Sequence, residues 1–247
     1  MNRQAQAAVL FLVGAAVLHA GATDLYLRYV KAGLRPLLLA AGVVLIVTAL
    51  ATVGYEVRER RTASGTSGSA GGDGHAHPHR EPRISWLLVL PLLALILVAP
   101  PALGSYSAMR TGTALQAPFG YPALPAGDPV PLGLVDYAGR AAYGHGHTLG
   151  DRRVRITGFV ALDHAGTPYL VRMALNCCAA DAQPVKIGLS GRIPPVLQPD
   201  AWLEVTGTYS GRRTRDPVNG GIIPFLDVST ARPVPAPRDP YDESWNN

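Results

Sequence analysis

Residues 36–55 read PLLLAAGVVLIVTALATVGY and contain no charged side chain. An α-helix needs about 20 apolar residues to cross the hydrocarbon core of a bilayer. A helix in the core of a soluble domain ordinarily keeps a polar face, and this stretch has none. The stretch therefore predicts a membrane-spanning helix.

Two more runs meet the same length criterion. Residues 84–103 carry no charge, and Pro91 near their middle is tolerated in a membrane helix although it would kink a soluble one. Residues 5–23 are also largely apolar. Because residues 20–22 read AGA, which resembles a signal-peptide cleavage site, a cleaved leader is the alternative for this run. The next run follows so closely that we favour a helical hairpin through residues 24–35.

The charge of the chain is concentrated beside these runs. The formal net charge is +5, but residues 110–247 contain 13 basic and 12 acidic side chains. A nucleic-acid-binding domain would carry a basic surface, so we expect no nucleic-acid partner. With 48% apolar residues the chain is not disordered, and two cysteines are too few for a disulfide scaffold.

The positive charges also predict the orientation in the membrane. Three spans place the amino end and the 56–83 loop on one side, with six basic residues near the membrane, and the carboxyl-terminal region on the other side, with four. The side with more Lys and Arg is usually cytoplasmic. We therefore expect a multi-pass protein of the cell membrane with an extracytoplasmic carboxyl-terminal domain. The residues counted are Arg3, Arg58, Arg60, Arg61, Arg80 and Arg83 against Arg28, Lys31, Arg35 and Arg110.

The predicted fold is a membrane α-helical region with three transmembrane helices, followed by an all-β domain built as a small OB-like barrel. Five strand signals separated by turns fit a partly open antiparallel barrel, with a β-sandwich fragment as the alternative. Gly158 and Gly207 lie inside strands, where they permit a bend or a bulge. The strand signals cover residues 154–162, 169–176, 185–189, 202–209 and 222–228. The predicted parts are a hairpin (1–55), a flexible Gly/Ser/His-rich loop (56–83), a third span (84–104), a Pro/Gly-rich tether (105–131), the β domain (132–235) and a tail (236–247).

Histidines in the loop are candidates for weak metal binding. His75, His77 and His79 alternate within a Gly-rich stretch, and short His-rich tracts often collect zinc, copper or nickel ions. A solvated low-complexity loop without a specific ligand explains the same pattern, and we favour that reading.

The least common local feature is the adjacent pair Cys177 and Cys178, followed by Asp181. These residues could ligate a metal, because thiolates bind borderline ions such as zinc and Asp181 adds a carboxylate. They could instead form a strained, easily reduced disulfide, or serve only as small buried side chains. Successive side chains of a strand point to opposite faces, so joint ligation requires a turn at this point. No C-x-x-C partner exists, and chemistry alone slightly favours the purely structural role.

Around these cysteines the chain resembles the YcgQ-like family of bacterial membrane proteins, which are described as permease subunits. The resemblance rests on CCAADA at residues 177–182, GFV at residues 158–160, WLEVTG at residues 202–207 and the span and exit LPLLALILVAPPALGS at residues 90–105. Asn176 stands where a threonine-like residue is expected.

The resemblance implies a polytopic permease as partner and an accessory role for this chain. We therefore expect a non-enzymatic subunit of a two-component permease, whose β domain binds or gates substrate, with a divalent metal such as zinc as a candidate and no certain cofactor. No catalytic triad, phosphate-binding loop or carboxylate pair is evident. The alternatives are a membrane-tethered thiol-redox or metal-handling protein acting through Cys177 and Cys178, and a purely structural anchor.

Overall fold

The structure is a computed structural model that describes residues 3–64 and 101–242, with isolated positions at 90, 93, 94 and 98. Most of the predicted third span (84–104) and the loop histidines His75, His77 and His79 lie outside the described residues. Two compact units are present, and the division does not follow the chain order. Leu27–Ala32, from the link between the first two helices, belongs to the same unit as Ala102–Asn247.

The first unit contains two antiparallel helices, α1 (Arg3–Ala22) and α2 (Arg35–Ser64). They approach closely because glycines face the partner helix. A Cβ atom at Gly14 would lie 2.8 Å from Ile46 Cγ1, and one at Gly42 would lie 2.7 Å from Leu18 Cγ. Small residues at such contacts let the backbones of membrane helices approach and gain van der Waals contact.

Both helices are long and apolar enough to span a membrane. Their apolar windows are only 22% and 11% buried, whereas a core helix of a soluble protein is mostly buried. Two of the three runs expected to span a membrane therefore form long apolar helices among the described residues, and the third, at residues 84–103, is not tested.

The second unit contains a closed five-stranded β-barrel. The five strands are numbered β2 to β6 in chain order. Neighbouring strands pair in the order β2-β5-β6-β4-β3, and β3 pairs with β2 to close the barrel. Among the five barrel strands the pairings are antiparallel except that of β4 with β6, which is parallel. The strand bounds are β1 Val130–Pro131, β2 Val154–Leu162, β3 Pro168–Ala174, β4 Gln183–Gly191, β5 Trp202–Arg215, β6 Ile222–Pro233 and β7 Tyr241–Asp242.

All five predicted strands are present, and several are longer than expected. Strands β5 and β6 form a long hairpin because pairing continues past a bulge between Ser210 and Arg213. A second shift in their register falls at Gly207, where a Cβ atom would lie 2.3 Å from the Asp227 carbonyl oxygen. The glycine is thus required by the close approach of the neighbouring backbone, as its place inside a strand predicted.

Two short helices complete this unit, α3 (Ser105–Arg110) and α4 (Leu134–Ala142). Helix α4 contacts all five barrel strands and buries Leu134, Tyr137 and Ala138 in the main core. The Tyr137 hydroxyl donates a 2.7 Å hydrogen bond to the Phe225 carbonyl, so its polar atom is satisfied inside the core.

A buried ion pair fastens the segment after α3 to the barrel. Lys186 Nζ lies 2.7 Å from Asp216 Oδ2, and both side chains are almost fully buried. Lys186 also donates to the Thr111 carbonyl, and Asp216 accepts the backbone N–H of Thr113. The charges are therefore fully partnered, as buried charges must be.

Candidate functional site

The cysteine turn, residues 176–181, follows the end of β3 at Ala174. The expected strand to residue 176 is therefore two residues too long, and the chain turns where joint use of the two cysteines requires it. Cys178 has an extended backbone (φ −152°, ψ 166°) and begins a short 3₁₀ helix, Ala179–Asp181.

The carboxylate of Asp181 organises this turn. Its Oδ1 accepts the N–H of Asn176 at 3.0 Å, and its Oδ2 accepts the N–H groups of Cys177 at 2.9 Å and Cys178 at 3.4 Å. In return the Cys178 sulfur accepts the Asp181 N–H, which completes a capping box. Burial alone would raise the pKa of Asp181, but hydrogen bonds from the Cys177 thiol and from the backbone outweigh burial and lower the pKa.

Both thiols are free, with Cys177 exposed and Cys178 half-buried. One ligand atom from each of Cys177, Cys178 and Asp181 lies within 4.8 Å of the other two. The Cys177 thiol donates to the Asp181 carboxylate, and this bond, with a lesser contribution from Cys178, raises the pKa of Cys177 to about 11. The residues expected to act together are therefore brought together, as a cluster that could hold a metal.

Residues of the GFV, WLEVTG and CCAADA segments, which carry part of the family resemblance, pack together near this turn. Phe159 and Trp202 are register partners in β2 and β5, with ring centroids 5.7 Å apart. Phe159 belongs to an apolar cluster against which Trp202 and the motif residues Ala179 and Ala182 pack. The small alanines let the turn lie flat on that cluster, which gives a packing reason for the motif.

The inter-helix segment, Leu27–Ala32, is bonded along its backbone to the cysteine turn. Val30 forms an antiparallel bridge with Cys178. The N–H of Lys31 donates to the Cys177 carbonyl at 3.1 Å, and the N–H of Ala179 donates to the Tyr29 carbonyl at 2.8 Å. The segment thus acts as a short strand paired with the turn.

Tyr241 links this segment to Leu103, at the end of the predicted third span. Its hydroxyl donates to the Arg28 carbonyl at 3.0 Å and accepts the N–H of Leu103 at 3.3 Å. Sequence reasoning missed both Tyr241 and the inter-helix segment. The contacts join main-chain atoms to one another or to the Tyr241 hydroxyl across more than 100 residues of chain, so no local motif marks them.

Fold and site together define a protein with an apolar helical hairpin and a closed five-stranded barrel that displays a vicinal-cysteine turn. A DUF1980 C-terminal domain is found at residues 142–242, which include all five barrel strands and the turn. This match supports the expectation of a family-specific C-terminal domain. No curated protein and no solved structure matches the chain significantly.

Proposed function

We propose that the chain is a membrane-anchored accessory subunit of a permease, with the cysteine turn as the substrate-binding or gating site of its β domain. The observation that carries the proposal is the backbone pairing of the cysteine turn with the inter-helix segment. The cluster of Cys177, Cys178 and Asp181 therefore belongs to the same compact unit as the link between two apolar helices.

The barrel fits the OB class that the sequence predicts. Numbered within the barrel, its strands follow the order 1-2-3-5-4-1, and strand 3 is parallel to strand 5. Such barrels bind ligands with residues on their strands and loops. The near balance of basic and acidic side chains in residues 110–247 argues for a ligand other than nucleic acid.

The same pairing supports the proposed topology. Because the inter-helix segment is bonded to the β domain, both lie on one side of the bilayer. If α2 spans the membrane, the chain must cross once more before Ala102, where it rejoins the unit that contains the barrel. A further crossing by the apolar residues 84–103 would satisfy this requirement, and the arginine distribution supports a β domain outside the cell.

Co-purification tests the subunit assignment. Tagged full-length protein, extracted in mild detergent, is expected to bring down a polytopic permease. The matched control is the Cys177→Ser/Cys178→Ser variant, which keeps the helices and should retain the partner. A tagged protein that never captures a polytopic protein would overturn the assignment.

A second candidate, thiol redox chemistry, is favoured by the two free adjacent thiols. Closing a Cys177–Cys178 disulfide would pass two electrons and two protons to a disulfide oxidant, which is reduced to two thiols. Thiol titration with and without reductant, alongside zinc analysis, distinguishes this chemistry. Two thiols that stay reduced under a disulfide oxidant exclude it.

A further inference from the structure

We propose that the cysteine turn is an open, three-ligand transfer site for a thiophilic divalent cation of the zinc class, held by Cys177 Sγ, Cys178 Sγ and a carboxylate oxygen of Asp181. This assignment rests on the proposed function and gives the chemical class of the substrate. The inter-helix segment pre-organises the three ligands.

The ligand distances suit such an ion. In a tetrahedral zinc site with Zn–S bonds of about 2.3 Å, two sulfur atoms lie about 3.8 Å apart. The three ligand atoms here already lie within 4.8 Å of one another. Small side-chain rotations therefore bring them to bonding distance, and the two thiol protons pass to solvent as the metal–sulfur bonds form.

The donor set indicates the class of ion. Two sulfurs and one carboxylate suit zinc and other soft or borderline cations, whereas magnesium and calcium prefer oxygen ligands alone. Three protein ligands leave one tetrahedral position for water or an incoming ligand.

The exposure of the ligands favours exchange of a bound ion with other molecules over long-term storage of that ion. Cys177 is exposed, and Cys178 and Asp181 are half-buried. Structural zinc sites are closed by four protein ligands, and the group found among residues 3–64 and 101–242 supplies three. An exposed open site lets a donor or acceptor ligand enter while the ion is still bound.

Backbone pairing fixes the turn before the ion arrives. Cys177 and Cys178 are both paired through their main chains with the inter-helix segment, and Asp181 holds their N–H groups. Ordering a flexible loop on binding would cost conformational entropy for each residue fixed. A turn that is already ordered avoids most of this cost.

The experiment measures zinc binding by the full-length protein in detergent. The loop histidines are removed first, as His75→Ala/His77→Ala/His79→Ala, because they could bind zinc independently. After treatment with a chelator, competition with a fluorescent zinc indicator should give one ion per chain. Cobalt(II) should give sulfur-to-metal charge-transfer bands.

In the same background, Cys177→Ser and Cys178→Ser should each weaken zinc binding by more than about tenfold and remove the charge-transfer bands. Stoichiometric binding that is unchanged in these variants, or no binding in the parent, would overturn the site. The cysteine variants are used because replacing Asp181 would also disturb the turn.

Pre-organisation is tested at Ala179. Ala179→Pro removes the N–H that bonds Tyr29, and Pro suits the first position of a short helix after an extended residue. The control Ala179→Ser keeps that N–H. The proline variant should bind zinc several-fold more weakly than the serine variant, and equal affinities would refute the role of the inter-helix segment.

The two proposals can fail separately. Permease capture without zinc binding overturns the transfer site and leaves the subunit assignment intact. Zinc binding without permease capture overturns the subunit assignment and leaves the transfer site intact.

Discussion

At the scale of single residues, the Cys177 thiol is kept protonated by its neighbour. It donates to the Asp181 carboxylate, and the negative charge disfavours a thiolate beside it. The thiolate is the nucleophile in alkylation and disulfide exchange. The thiol is therefore exposed but unreactive near neutral pH.

The alkylation rate of Cys177 measures this effect. In a Cys178→Ser background, the rate with iodoacetamide should rise about tenfold per pH unit until pH approaches the pKa. Asp181→Asn removes the charge, lowers the pKa of Cys177 and should speed the reaction at pH 8. Equal alkylation rates with Asp or Asn at position 181 would contradict the assignment of the raised Cys177 pKa to the Asp181 carboxylate. Melting curves must show that the barrel is folded in both proteins.

At the scale of helices and strands, close backbone contact holds the hairpin of α1 and α2. Gly42→Ala would place a methyl group 2.7 Å from Leu18 Cγ and should destabilise the pair. Gly54→Ala, on the same helix with no atom within 4 Å, is the control and should be neutral or stabilising. Thermal unfolding in detergent compares the two, and equal stability would show that the contact at Gly42 is not required.

The buried pair of Lys186 and Asp216 makes a second prediction at this scale. Lys186→Met leaves an unpaired buried carboxylate and should lower the free energy of unfolding by about 3–5 kcal/mol. The control is Arg232→Met, which removes an exposed pair with Glu204 and should cost less than about 1 kcal/mol. Denaturant titration provides the measurement, and similar losses in the two variants would contradict the importance of the buried pair.

At the scale of the whole molecule, the proposed topology predicts which parts of the chain reach the outside of the cell. In a Cys177→Ser/Cys178→Ser background, His164→Cys lies on an exposed turn of the barrel. A membrane-impermeant maleimide should label this variant in intact cells. Ser67→Cys, in the 56–83 loop, should be labelled only after lysis. Labelling of both cysteines in intact cells would refute the topology.

The sequence was sufficient for features that depend on local pattern. Alternation of apolar residues predicts a strand wherever one face is buried, and β2 has the predicted bounds, Val154–Leu162. The sequence could not predict where β5 and β6 end. Pairing between these strands continues through residues such as Arg213, whose local sequence is typical of a loop. There, cross-strand hydrogen bonds outweigh local preference.

The sequence by itself predicted the two apolar helices from apolar length, a small β-barrel from strand and turn signals, and the candidate residues Cys177, Cys178 and Asp181 from the adjacent cysteines. Only the tertiary structure decided that the three ligand atoms converge, because adjacent side chains diverge unless the backbone turns. It alone also paired the turn with Leu27–Ala32, since main-chain hydrogen bonds depend on position in space and are nearly independent of residue type.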